Sequence, residues 1–355
     1  MKKLLIAAAA MTAVAGVAQA QSVTLYGVMD AGIYSAKGVT ANNGKASGVQ
    51  SSGDSTSRFG FMGTEDLGGG LKASFKLESE IAPVNGTTDS NRLWHRDAYL
   101  ALSDAKLGTV LLGRTYTFGY ASAIKFDALG GNTGSAWRQG YLGIGSASRL
   151  DNVLAYVSPS VAGVSAGFAY SSKTSEVASW NTPVAETADC TSCGKAYNAA
   201  LNYEAGKVAA TVGYIKANSS TGAKANDQTY AYATYDFGPA KLHLGYVDKD
   251  TVGAAEKAKA TSIGLSAPVT AKVKVAAQYT SIKHSTGLAA NNDADGMGFK
   301  VTYDLSKRTA LYAIYSQVNN DSGAAVQGSS MQSATVTAVA GQDQKVTAIG
   351  VKHSF

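Results

Sequence analysis

The chain has 355 residues and a formal net charge of +6, with only 16 % charged residues against 39 glycines, 19 tyrosines and 5 prolines. Soluble domains carry about a quarter of their residues as charge, so an ordinary soluble enzyme fits poorly, whereas low charge with middling hydropathy fits a sheet apolar on one face and polar on the other. The mild basic excess is spread along the chain without a basic stripe, which argues against nucleic acid as a partner.

Residues 1–20 read as a secretory signal. Lys2 and Lys3 form a basic start, Leu4 to Ala18 is apolar or small, and Ala18-Gln19-Ala20 is an A-x-A cleavage site. A retained anchor is the other reading, but the run is short and alanine-rich for a span of about 20 residues. Residues 21–355 carry no linker or shift in composition, so they form one domain.

From Ser22 onward the dominant signal is period two, which puts alternate side chains on opposite faces of a strand. In the first segment Val23, Leu25, Met29, Ala31 and Ile33 alternate with positions that include Thr24 and Asp30. In the third, Leu71, Ala73, Phe75, Leu77 and Ile81 alternate with Lys72, Ser74, Lys76, Glu78 and Glu80. The same rhythm recurs around Leu242, Val273 and Phe299. Sixteen strands are expected, at 22–35, 54–65, 71–82, 92–103, 107–117, 149–158, 162–171, 196–205, 207–217, 228–238, 240–249, 259–267, 270–283, 295–305, 308–319 and 343–355.

Their connections alternate between short turns, such as Asp66–Gly70 and Asp104–Lys106, and long loops, such as Lys37–Gly53 and Ser172–Lys195. A soluble sandwich has no reason to sort its loops by end in this way, whereas outer-membrane barrels have short periplasmic turns and long outer loops. The fold class is therefore all-β: a transmembrane antiparallel up-and-down β-barrel of 16 strands. Tyr203, Phe237, Tyr246, Tyr303 and Phe355 are expected in its periplasmic aromatic girdle.

The longest interruption runs from Gly113 to Arg149. A structureless stretch of that length is functional or disordered far more often than decorative. It reads as a pore loop, about 117–148, folded into the lumen. Cys190 and Cys193 lie in a later loop as C-T-S-C. A redox or metal motif and a small disulfide are both open to them, and no histidine or second cysteine pair completes a zinc site.

The alternation puts Arg58 opposite Phe59 and Phe61, and therefore in the lumen, together with Lys72, Lys76, Glu78 and Glu80. Arg149 and Asp151 face in because Leu154 and Tyr156 face out. Arg96 is ambiguous by parity, and Arg92 shares its face nearer the rim. Fixed charges on a narrow polar lining select ions by field.

Four stretches resemble the Gram-negative general porins of the neisserial and beta-proteobacterial type. QSVTLYGVMDAGI is similar to the family's first strand, and SRFGFMGTEDLGGGLKASF to its second. RDAYLALSDAKLGTVLLGRTYT is similar to the strands that lead into the pore loop, and GVKHSF to the terminal strand. The resemblance implies a passive diffusion channel of the outer membrane for small hydrophilic solutes and ions, without cofactor or metal. It implies a homotrimer surrounded by outer-membrane lipids and lipopolysaccharide, whose terminal Phe355 is a signal to the barrel-assembly machinery. It matches Arg58, Arg96 and Arg149 to a basic cluster facing the pore loop, which favours Arg96 inward, and it matches Tyr116 and Tyr120 to tyrosines at the start of that loop.

The sequence departs from the family in lacking the P-E-F-G-G element of enterobacterial pore loops. Asp127 is the loop's lone acid, beside Lys125 and Arg138. The expected result is a net positive constriction that prefers small anions, with Asp127 the residue whose removal moves that preference furthest. A channel selective for a phosphate-like or dicarboxylate solute is the alternative within the class. An outer-membrane hydrolase would need a nucleophile beside a histidine, and His95, His243, His284 and His353 fall on separate strands outside any catalytic motif. A purely structural or adhesive barrel would be closed to ions.

Overall fold

A computed structural model describes residues 22–39, 44–88, 92–135, 137–142, 148–174, 194–218, 224–251, 256–285, 292–328 and 338–355. The expected signal segment, Cys190 and Cys193 lie outside the described residues. The strands are β1 (Ser22–Lys37), β2 in two legs (Lys45–Ser51 and Arg58–Gly68), β3 (Leu71–Ala82), β4 (Asp97–Asp104), β5 (Gly108–Tyr116), β6 (Arg149–Val157), β7 (Val164–Thr174) and β8 (Gly194–Ala205). They continue as β9 (Val208–Asn218), β10 (Lys224–Asp236), β11 (Lys241–Thr251), β12 (Glu256–Pro268), β13 (Val273–Ser285), β14 (Ala294–Asp304), β15 (Thr309–Asn320) and β16 (Gln344–Ser354). A two-residue ladder, Thr87–Thr88, extends the far end of β3.

Each strand pairs antiparallel with the next, and β16 pairs back onto β1 from Val28↔Ser354 to Lys37↔Lys345. The sheet is thus a closed barrel of sixteen strands, which leaves no edge open. Beyond the last ladder pair, Phe355 and Gly27 exchange both backbone hydrogen bonds, at 3.0 and 3.1 Å.

The alternation expected from sequence sets the two faces. In β16, Val346 and Ala348 are buried inward while Ile349 and Val351 are exposed outward. Leu201, Leu244, Ile263, Phe299 and Leu311 are likewise exposed on the outer surface. Such a surface is stable against hydrocarbon, where each large apolar side chain removed from water contributes about 1.5–3 kcal/mol. No helix among the described residues is long and apolar enough to cross a membrane, so any crossing is made by strands. Tyr203, Phe237, Tyr303 and Phe355 stand exposed near the short-turn end, as expected. Tyr246 does not join them: it sits mid-strand, and its hydroxyl donates to Asp248, two residues closer to the long-loop end.

Two elements depart from the expected layout. Residues 37–53 are not one long loop, because Lys45–Ser51 pairs with the far half of β1. Instead β2 is interrupted by an inward turn, Ser52–Ser57, where the sequence reading has loop to Gly53 and strand from Asp54. The turn leaves the ladder because buried Asp30 of β1 supplies its hydrogen bonds: Oδ1 accepts from Gly53 N–H, and Oδ2 from Asp54 and Ser55 N–H. The second departure is 92–96, expected as strand and found as loop before β4. Trp94 remains outside, edge-on to Phe59 and Phe61, while Arg92 and Arg96 turn inward. Strand parity does not govern these residues, which is why the alternation around Arg96 reads as ambiguous.

The segment after β5 enters the barrel. Thr117 caps a short helix, α1 (Phe118–Lys125), by accepting Tyr120 N–H on its side chain at 3.0 Å. Beyond it the chain runs along the inner wall of β11 to β15. His243 Nδ1 donates to the Phe126 carbonyl and Gln278 accepts Ala128 N–H, at 3.0 and 3.1 Å. Lys300 Nζ donates to the Leu129 carbonyl, and Gln139 donates to Ser316 at 3.3 Å. At Gly298 a Cβ would lie 2.1 Å from the Gly134 carbonyl oxygen, so only glycine lets the loop come this close to the wall.

Candidate functional site

The inner wall of β2 to β6 carries a dense network of charges. Glu78 on β3 lies at its centre. It accepts from Arg96 Nε at 2.6 Å and from the Tyr26 hydroxyl at 2.8 Å, with Lys76 at 3.3 Å and Arg58 at 3.7 Å. Arg96 also donates to Glu80 at 3.0 Å and to the Tyr116 hydroxyl at 2.7 Å. Lys76 pairs with Asp97 at 2.7 Å. On β6, Asp151 accepts from Arg92 at 2.9 Å and from Arg114 at 2.6 Å. Burial opposes the charge on Arg96, but Tyr116, Glu80 and Glu78 outweigh it and hold the guanidinium protonated.

Arg149 is bound differently. Its guanidinium carbon lies 4.2 Å from the Tyr116 ring centroid and 5.5 Å from that of Tyr120, and those two rings stack at 4.6 Å. Its Nε and Nη2 meet no acceptor among the described residues. Cation–π contact thus replaces ion pairing. Burial first, then the neighbouring Tyr116, pushes the Tyr120 hydroxyl up to about 12, so it adds no negative charge beneath Arg149 at neutral pH.

Among the described residues the cluster holds six bases, Arg58, Lys76, Arg92, Arg96, Arg114 and Arg149, against four acids, Glu78, Glu80, Asp97 and Asp151. Two positive charges are left over, and Arg149 is the base without a carboxylate.

The expected cluster of Arg58, Arg96, Arg149, Lys76 and Arg92 is therefore one assembly, with Tyr116 and Tyr120 packed into it. Arg114 joins it unannounced. Parity with Leu112 would send it outward, but Gly113 takes φ +136° and the ladder shifts register between Gly113 and Thr115, which turns Arg114 in. Lys125 stands apart, its ammonium on Glu204 near a short turn.

Asp127 also departs from expectation. It lines a small cavity with Tyr232, Gln278 and Thr280, on the wall of β10 to β13, and its Oδ1 accepts Leu129 N–H at 2.7 Å. It shapes the loop as an Asx turn does. Asp127→Asn is accordingly expected to cost about 1 kcal/mol of stability and to move ion preference little, read as melting temperature and reversal potential. A large gain in anion preference would restore the sequence reading.

The acid that meets the pore-loop tip is Asp54, in the inward turn of β2. Lys300 Nζ lies 2.8 Å from its Oδ1, and Lys352 pairs with Oδ2. Its backbone carbonyl accepts from Asn132, while Thr133 N–H donates to Gly53 at 3.4 Å. The turn therefore ties the arginine wall, through Arg58 Nη1 on the Thr56 carbonyl at 2.8 Å, to the tip of the pore loop. Nothing local marks Asp54: Asp-Ser-Thr-Ser reads as the start of a strand, and both lysines lie more than two hundred residues away in sequence.

A closed barrel with an apolar outside, a polar charged lumen and a loop folded across it is a water-filled diffusion channel of the outer-membrane type. The chain belongs to the Gram-negative porin family, whose family model matches residues 7–323. It is 32 % identical to the outer membrane porin protein 32 of Delftia acidovorans, over the full length of both chains. It is 31 % identical to an outer membrane porin protein of Bordetella pertussis, covering 90 % of this chain and 95 % of the relative. Among solved structures, the anion-selective porin from Comamonas acidovorans superposes with a TM-score of 0.78 at 28 % identity, over 94 % of this chain and all of that one. The protein is an outer-membrane channel for passive diffusion of small hydrophilic solutes and ions, with its short turns on the periplasmic side.

Proposed function

We propose that this channel prefers small anions and that its constriction is the space between the β2–β6 cluster and the pore loop. The observation that carries the reading is the surplus of two positive charges in that cluster, with Arg149 unpaired by any carboxylate among the described residues. Arginine suits the task, since it stays charged when crowded and offers several donors to a passing anion. The similarity to the anion-selective porin from Comamonas acidovorans supports it. In a planar bilayer under a potassium chloride gradient, the reversal potential is expected to have the sign of chloride permeation. The opposite sign would refute the reading.

The working unit is read as a homotrimer, supported by the solved trimer form of a fold neighbour, OmpT of Vibrio cholerae. Stepwise loss of conductance in thirds is its signature. Residues 1–20 act as the signal segment and Phe355 as the assembly signal. Outside, near the long-loop end, Lys259 with Asp248 and Lys283 with Asp293 form exposed ion pairs at 3.5 and 3.1 Å, a polar band suited to the charged head groups of lipopolysaccharide.

A further inference from the structure

The charged cluster is not the lumen's only basic surface. On the periplasmic side of the pore loop a cavity of about 620 Å³ lies against the inner wall of β10 to β16. Six of its lining residues are basic: Lys241, Lys274, Lys300, Lys307, Arg308 and Lys352. Three acids face them. Asp236 lies 3.7 Å from Lys241, Asp304 lies 2.7 Å from Lys274, and Asp54 is shared by Lys300 and Lys352.

The third arrangement differs from the other two. Asp236 and Asp304 are single partners on adjacent strand ends. Asp54 instead reaches the wall from a turn that lies outside the ladder, and its carboxylate is clamped by one ammonium on each oxygen. The Asp54 side chain is 2 % exposed, while Lys352 is 30 % and Lys300 15 % exposed, on the side that opens to the cavity. The wall is thus built to hold an oxyanion with two oxygens, and the chain supplies one on a tether.

We propose that the wall around Lys300 and Lys352 is a binding site for a small solute bearing a phosphate or carboxylate group, and that Asp54 is the tethered carboxylate that fills it when no solute is present. The proposal rests on the anion preference read above and adds a place where an anion pauses. A solute oxyanion in the cavity meets Lys352 and Lys274 first, then competes with Asp54 for the lysine pair. Competition with an intramolecular group of high effective concentration weakens binding, which keeps the site shallow enough for the solute to leave, as conduction requires.

The test is inorganic phosphate titrated at fixed chloride onto single channels in a planar bilayer, read as transient blockade. Asp54→Asn removes the competitor and keeps the shape; it is expected to tighten apparent phosphate affinity about tenfold, the scale of one charge-assisted hydrogen bond. Lys352→Gln, whose side chain is partly exposed and tolerates change, is expected to weaken it by a similar factor, and Lys300→Gln with Lys352→Gln to abolish the gain from Asp54→Asn. Unchanged phosphate affinity in Asp54→Asn, or undiminished affinity in Lys352→Gln, would overturn the site. The reversal potential of the same wild-type channels in potassium chloride separates the two readings. Cation preference there defeats the anion channel itself, whereas anion preference with phosphate blockade indifferent to Asp54 defeats only the site.

Discussion

Arg149→Gln should cost this channel more of its anion preference, for less loss of stability, than the same change at Arg96. The two residues look equivalent in sequence, and the structure separates them. Arg149 rests on the faces of Tyr116 and Tyr120, with no carboxylate partner among the described residues, so glutamine there removes one of the cluster's two surplus charges. A unit charge about 8 Å from a passing ion in water-like dielectric is worth about 0.5 kcal/mol. It acts with opposite sign on chloride and potassium, so their permeability ratio should fall about fivefold at low salt and less at high salt. Arg96 is held at 2.6 Å by Glu78 and at 3.0 Å by Glu80. Glutamine there takes the closest cation from two carboxylates away from bulk water, leaving Glu78 to Lys76, Arg58 and Tyr26 and Glu80 to His95, a loss of about 3 kcal/mol, seen first as a lower melting temperature. Wild-type reversal potential in Arg149→Gln would show that the cluster does not set selectivity.

The sequence discloses the barrel because a membrane sheet must alternate residue by residue for its whole length. β3 and β6 begin at the residues expected, and every other strand but two is found within a few residues of its expected span. Legibility stops where the chain leaves the ladder. Arg92 and Arg96 lie in a loop, where parity carries no information, and their inward course depends on Glu78, Glu80 and Asp151 on other strands. Arg114 depends on a bulge that Gly113 permits and that no pattern of apolar residues announces. Asp127 looked like the pore's acid because it is the only acid in its loop, yet a carboxylate two residues before a free backbone N–H is as ready to cap it as to face water. Asp54 was hidden for the opposite reason: it lies in a short polar stretch continuous with a strand, and its partners come from β14 and β16. Period two thus reads walls well, and reads badly whatever the walls fold around.

Asp30→Ala should be the most damaging single change to the architecture of the lumen. Asp30 is fully buried on β1. Its carboxylate accepts from Gly53, Asp54 and Ser55 N–H and from the Tyr312 hydroxyl at 2.7 Å, while its backbone carbonyl takes Ser52 N–H and the Ser57 hydroxyl. Alanine leaves four donors without their acceptor in a buried site, each costing about 1–3 kcal/mol if it stays unpaired. Water entering from the lumen recovers part of that loss, so a net destabilisation of about 3–5 kcal/mol is expected, read as a fall in melting temperature. The functional consequence follows from the same contacts. Without Asp30 the Ser52–Ser57 turn loses its hold, Asp54 leaves Lys300 and Lys352, and the pore-loop tip loses its bonds at Asn132 and Thr133. Single-channel conductance should rise and become noisier as the lumen widens. Tyr312→Phe, which removes one of the four donors and keeps the turn, should cost about 1 kcal/mol and leave conductance near that of the wild type. A stable Asp30→Ala barrel with wild-type conductance would mean that the turn is held by the pore loop rather than by β1.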